Sequence, residues 1–197
     1  MARVKSWGAK VLSSATTVDE ARWLEAHGAD AVIAQGLEAG GHRGMFLTAD
    51  VHTPVGTFAL LPQIVQAVQV PVLAPGGIAD ATGVAAAMAL GAAGVQVGTA
   101  YLTCPEATTS ALHRAALQSE QARVTALTNV FTGRPARGIV NRIMQELGPI
   151  CPAAPIWPSA CSSSVSARPS QNTGPDQARL RIVGVRRPRT FIPLPIA

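Results

Sequence analysis

Apolar and polar positions run through residues 10–117 in four cycles, each a short apolar stretch, a loop and a segment of helical period. The first cycle opens at Lys10–Ser14 and continues into Thr17-Val-Asp-Glu, where a good N-cap hydroxyl precedes two acids. A helix is expected from there to about Ala26, closed by Gly28. The second cycle has the strand Ala29–Gln35, a glycine-rich loop and a helix near Leu60–Val68. The third has Val70–Ala74, the turn Pro75–Asp80 and a helix from Ala81 to Leu90. The fourth has Gly94–Gly98 and a helix near Ala107–Leu117. Strands that are apolar throughout and alternate with helices predict a parallel sheet covered by helices. Two architectures fit: an open doubly wound sheet, or part of a (β/α)8 barrel. Both bind ligands at the C-terminal ends of their strands, which is where this chain gathers its glycines.

Composition bounds what surrounds those cycles. The 197 residues are 48% hydrophobic and only 14% charged, with 4% aromatics, so the core is aliphatic. The net charge of +5 suggests a nucleic-acid partner until it is mapped. Residues 1–158 hold ten basic and ten acidic side chains, and residues 159–197 hold six arginines and one aspartate. The body is therefore neutral, and no nucleic-acid partner is expected. From Pro149 onward the chain carries nine of its fifteen prolines with Ser- and Arg-rich pieces. The expected division is a body over 1–148 and an irregular tail over 149–197. No stretch suits a membrane span or a secretory signal, and three cysteines outside any CxxC spacing suit the reducing cytoplasm.

Three loops at strand ends carry the candidate chemistry. In PGGIAD, Gly76 and Gly77 let backbone approach a ligand, and the following helix aims free N–H groups at it; an anion such as phosphate is the natural occupant. Gly98 and Thr99 in VGTAYL offer a second set of donors one unit later, the arrangement barrels use for phosphate. The loop AQGLEAGGHRG lies one unit earlier. Its G-x-x-x-G-G-x-x-G spacing is not a dinucleotide fingerprint. Gly40 and Gly41 clear room for a flat ring or sugar, and His42 projects beside them as a candidate general base. His27, His52 and His113 have no partners at metal-ligand spacing, so no metal is expected. Arg134 and Arg137 in TGRPARG fit either an anion guard or a solvated turn.

GADAVIAQGLEAGGHRG, PVLAPGGIADATGVAAAMALGAAGVQVGTAYL and TNVFTGRPARG together resemble the nitronate monooxygenase family, in register from about Lys5 to Pro158. The resemblance implies a (β/α)8 barrel that binds FMN and oxidises alkyl nitronates with O2 to a carbonyl compound and nitrite, without a metal. It implies that His42 is the base toward nitroalkanes. It further implies that Gln35, Ala39, Gly40 and Gly41 line the FMN, with Gly76, Gly77, Gly98 and Thr99 at its phosphate. Flavin-dependent enoyl-acyl-carrier-protein reductases share the EAGGH loop and the GGIAD turn and are the alternative. AQG ahead of the loop and FTGRPARG after the barrel favour the monooxygenase. A full barrel takes about 250 residues, and four βα units correspond to its C-terminal half. A half barrel with two open edges is expected either to pair with a second copy or to be an inactive fragment.

Overall fold

The cap read at Thr17 sets the first βα unit. Its side chain accepts the Glu20 N–H, and helix α2 (Val18–Ala26) follows strand β1 (Leu12–Ala15), with a short α1 (Ala2–Lys5) before them. The structure, a computed structural model, describes residues 1–154 and 182–183. Next come β2 (Ala31–Ala34), a two-residue β3 (Gly41–His42) and α3 (Thr57–Ala67). They are followed by β4 (Val72–Pro75), α4 (Ala81–Ala89), β5 (Gly94–Gln96), a short α5 (Thr99–Leu102) and α6 (Ala111–Leu117). The remaining elements are β6 (Thr125–Thr128), β7 (Ala136–Ile139), α7 (Arg142–Leu147) and β8 (Ile182–Val183).

The main sheet has the order β1-β2-β4-β5-β8; its first four strands are parallel and β8 runs antiparallel to β5. Alternation along the strands sends Ala15, Val32, Ala34, Val72, Ala74 and Val95 into one aliphatic core with Leu24, Leu60, Leu61 and Ile64 of the covering helices. This is the parallel αβ layering expected. The outer edge of β1 is unpaired among the described residues, whereas β5 carries β8 on its outer edge. The Pro- and Arg-rich tail, apart from 149–154 and 182–183, lies outside the described residues.

Element boundaries differ from the sequence reading for identifiable reasons. The third strand starts at Val72 rather than Val70, because the Gln69 and Val70 N–H groups donate to Glu25 Oε1 at 2.6 and 3.0 Å. The last helix of the cycles starts at Ala111, capped by Ser110, rather than at Ala107. The preceding turn is tied down by Arg114, which donates to the carbonyls of Thr103, Cys104 and Ala107. A second, three-stranded antiparallel sheet of order β3-β7-β6 has no counterpart in the expected pattern. It pairs Gly41 with Arg137 and His42 with Ala136 above the strand ends.

Glu20 joins the body to the loop that carries His42. Its side chain is fully buried; Oε2 accepts Thr16 N–H at 2.6 Å and Thr16 Oγ1 at 2.8 Å, and Oε1 accepts Phe46 and Leu47 N–H at 2.6 and 3.1 Å. Burial pushes its pKa up, but the hydrogen bonds from Phe46, Thr16 and Leu47 outweigh that and hold it below the ordinary value of 4.5. A depressed folded-state pKa stabilises the fold above the unfolded value, and that stability is lost as pH falls through the folded one. Glu20→Gln is expected to lower the unfolding free energy by about 2 kcal/mol at neutral pH, because an amide nitrogen would face N–H donors. Urea titrations should show the gap between wild type and variant closing toward about pH 3. An unchanged gap would refute the charge-based anchor.

Candidate active site

The rim is built on the residues that leave β2. Gln35 and Gly36 are buried just beyond the end of the strand. The Arg43 guanidinium, 2% exposed, turns back to donate to both at 2.6 Å: NH1 to Gly36 O and NH2 to Gln35 O. Burial and the nearby charge of Arg137 lower the Arg43 pKa, opposed by Glu20 and Glu38. The Gln35 amide completes the loop, donating from Nε2 to His42 O at 3.0 Å and accepting the Gly44 N–H at Oε1 at 2.6 Å.

The four glycines of the loop divide into two kinds. A Cβ on Gly36 would collide with the backbone of Thr57, and one on Gly44 would strike Ser14 at 2.6 Å. These two are small because the fold closes against them. A Cβ on Gly40 or Gly41 would meet nothing within 4 Å, and both residues are exposed. Only this pair is open toward a ligand.

Glu38, between Gly36 and Gly40, fastens the loop to a helix. Gly56, the N-cap of α3, has no side chain to offer, and Glu38 Oε2 instead accepts Thr57 N–H at 2.7 Å and Thr57 Oγ1 at 2.8 Å. Burial raises the Glu38 pKa, but the hydrogen bonds from Thr57 and its own N–H, with the charge of Arg137, carry the net shift downward.

The loop packs on the PGGIAD turn. Gly76 and Gly77 have φ of +80° and +69°, a region that favours glycine. Gly76 is also required by packing, since a Cβ there would collide with the Ala39 backbone; a Cβ on Gly77 would lie 3.3 Å from Glu38. Pro75 pairs with Gln96, so the turn at Gly76–Gly77 and the turn at Val97–Gly98 stand side by side at the ends of β4 and β5. Gly98 is open, since a Cβ there would meet nothing within 4 Å, and Thr99 begins α5. Among the described residues, the N–H groups of Gly77, Gly98 and Thr99 donate to no backbone acceptor. Beside them the Gln96 Oε1 is buried without a hydrogen-bond partner.

His42 is exposed on β3, and its Nε2 lies 2.8 Å from Thr132 Oγ1 on the loop joining β6 and β7. Arg137 takes neither of its expected roles: Nε donates to Leu37 O at 2.7 Å and NH1 to Thr125 Oγ1 at 3.0 Å, binding the small sheet to the glycine loop. Arg134 is exposed. Sequence reasoning does not single out Arg43, Glu38 or Thr132; the one signal it offers is a basic residue locked between His42 and Gly44. Among the described residues no cluster of His, Cys, Asp and Glu could hold a metal, and no helix is long and apolar enough to cross a membrane.

Known proteins are similar to this chain in sequence and fold. The nitronate monooxygenase family model matches residues 1–171. Over 148 residues the chain is 48% identical to a probable nitronate monooxygenase of Staphylococcus aureus strain Newman, covering 75% of this chain and 42% of that one. The solved structure of nitroalkane oxidase from Streptomyces ansochromogenes is 47% identical with a TM-score of 0.72, over 78% of this chain and 45% of that one. FabK from Thermotoga maritima is 36% identical with a TM-score of 0.63, over 74% and 44%. The chain thus spans less than half the length of these relatives, and its parallel αβ units are part of a (β/α)8 barrel. On the family match across most of its length, the chain belongs to the nitronate monooxygenase family.

Proposed function

We propose that this chain provides the FMN phosphate turns and the base of a nitronate monooxygenase, oxidising small alkyl nitronates with O2 to a carbonyl compound and nitrite. The observation that carries the reading is His42 displayed outward beside the open backbone of Gly40 and Gly41. The residues fit the cofactor. The N–H groups of Gly77, Gly98 and Thr99 have no backbone acceptor among the described residues, and Gln96 brings an orphaned buried acceptor to the same strand ends. Gln35, Ala39, Gly40 and Gly41 would border the flavin, and Gly76, Gly77, Gly98 and Thr99 its phosphate. FMN, when bound, supplies the electron exchange with O2.

His42 acts one step earlier. The α-carbon of a neutral nitroalkane surrenders its proton to the imidazole, and the C–H electron pair passes into the nitro group to give the nitronate. A pre-formed nitronate needs no such transfer. Gln35 and the β3–β7 pairing hold the His42 backbone while this happens. A second copy pairing at the free edge of β1 would enclose the rim from the other side. Cys104 and Cys151 are free thiols, in keeping with a cytoplasmic site of action.

Turnover assays and glycine variants test this reading. His42→Asn should cut nitroalkane turnover at least about 100-fold while nitronate-dependent O2 uptake persists; undiminished nitroalkane turnover would remove the base assignment. Oxidation of a reduced nicotinamide by an enoyl thioester, without nitronate-dependent O2 uptake, would assign the reductase reaction instead. Gly40→Val should leave the melting temperature unchanged, because a Cβ there meets nothing within 4 Å, yet weaken FMN binding about tenfold or more. Gly36→Ala should do the reverse of the first part and destabilise the fold, because Thr57 occupies that space. Equal melting temperatures for wild type and both glycine variants would refute the division of the glycines.

A further inference from the structure

The Thr132 hydroxyl has three neighbours and one proton. His42 Nε2 lies 2.8 Å away, Arg134 O accepts from the hydroxyl at 3.3 Å, and Arg134 N–H donates to it at 3.4 Å. Two proton placements satisfy this set. If the hydroxyl donates to His42 Nε2, the imidazole carries its proton on Nδ1 and has no free lone pair. If the hydroxyl donates to Arg134 O, His42 donates from Nε2–H to Oγ1, and Nδ1 is left unprotonated. No described residue hydrogen-bonds His42 Nδ1.

We infer that Thr132 is a positioning residue for His42: its hydroxyl accepts the Nε2–H, donates its own O–H as a hydrogen bond to the Arg134 carbonyl, and leaves Nδ1 as the atom that takes the proton. This rests on the proposed role of His42 as base. After transfer the new Nδ1–H bond completes an imidazolium whose Nε2–H remains on the hydroxyl, so the same contact orients the base before the step and stabilises its cation afterwards. The substrate loses one C–H bond, and its electron pair stays with the nitro group.

The scaffold holds this pair of side chains closely. The β3–β7 ladder sets His42 opposite Ala136, and Arg43 N–H donates to Pro135 O at 2.8 Å. The Thr132 loop is closed by Gly133 N–H on Asn129 O at 2.8 Å, with Gly133 at a φ of +71°. Asn129 is itself clamped, its Nδ2 donating to Cys151 O at 3.1 Å and its Oδ1 accepting Cys151 N–H at 2.8 Å. A hydroxyl fixed on both sides in this way selects a tautomer, which a mobile one would not.

The test combines spectroscopy on the chain itself with kinetics. In 15N-resolved spectra at about pH 9, where an imidazole is neutral, the ring-nitrogen shifts of wild-type His42 should show one tautomer with its proton on Nε2. Thr132→Val should move those shifts toward a mixture of the two tautomers, and Thr132→Ser should retain the wild-type pattern. With FMN supplied, Thr132→Val should lower kcat/KM for a nitroalkane about tenfold or more and leave pre-formed nitronate turnover within about twofold, with Thr132→Ser close to wild type. A proton on Nδ1 in the wild type would overturn the inference. So would full nitroalkane activity in Thr132→Val alongside an impaired His42→Asn. If His42→Asn itself retains nitroalkane turnover, the base reading fails, and the spectra still decide whether Thr132 sets the tautomer.

Discussion

Two carbonyls at the end of β2 have to be satisfied away from water, and the way Arg43 satisfies them organises the rim. A buried carbonyl without a donor costs about 1–3 kcal/mol, and a buried guanidinium without acceptors costs more. Joining Arg43 to Gln35 O and Gly36 O satisfies both carbonyls and the two terminal nitrogens of the guanidinium, leaving its buried Nε without a partner, and folds the chain back on its own strand. Neighbouring residues of an extended chain point to opposite sides. With Arg43 directed inward, His42 is directed outward. The exposed imidazole is thus a consequence of the buried arginine beside it, and Glu20 and Glu38 supply the negative charge that makes the burial tolerable.

From that knot the other contacts follow. Folding back brings Gly36 under Thr57 and Gly44 onto Ser14, so neither position has room for a side chain. Glu38 then reaches the uncapped start of α3, and Ala39 seats on Gly76. The small antiparallel sheet closes over the top, with Arg137 bonded to Leu37 O. What is left uncovered is narrow: Gly40, Gly41, His42 and the open turns at the ends of β4 and β5. The candidate site is the part of the rim that these contacts leave open.

Much of this is legible in the sequence where causes are local. The Thr17 cap, the apolar strands, the positive-φ turn at Gly76–Gly77 and the Asp80 cap, which accepts Gly83 N–H at 2.8 Å, all follow from residues close in the chain. What is not legible depends on partners far away. The start of α3 at Thr57 needs Glu38, and β3 is two residues with no period of its own, recognisable only through its pairing with Ala136 and Arg137. By sequence, Gly40 and Gly41 read as room for a ligand, but only the fold shows why Gly36 and Gly44 are glycine, with Thr57 and Ser14 in the space a side chain would take. Arg137 offers a guard or a solvated turn by sequence and is in fact a strap between the small sheet and the loop, because its carbonyl partner lies far away in the chain.

The rim, with Gly40, Gly41, Gly77, Gly98 and Thr99 at its surface, is proposed as a flavin site. Titrating FMN into the purified chain while following flavin fluorescence and visible absorbance tests it most directly. Saturable binding of one FMN per rim, with a perturbed flavin spectrum that Gly40→Val weakens and a fold-neutral surface change does not, is the result expected. A chain that stays colourless and leaves the FMN spectrum unchanged at every concentration would contradict the account.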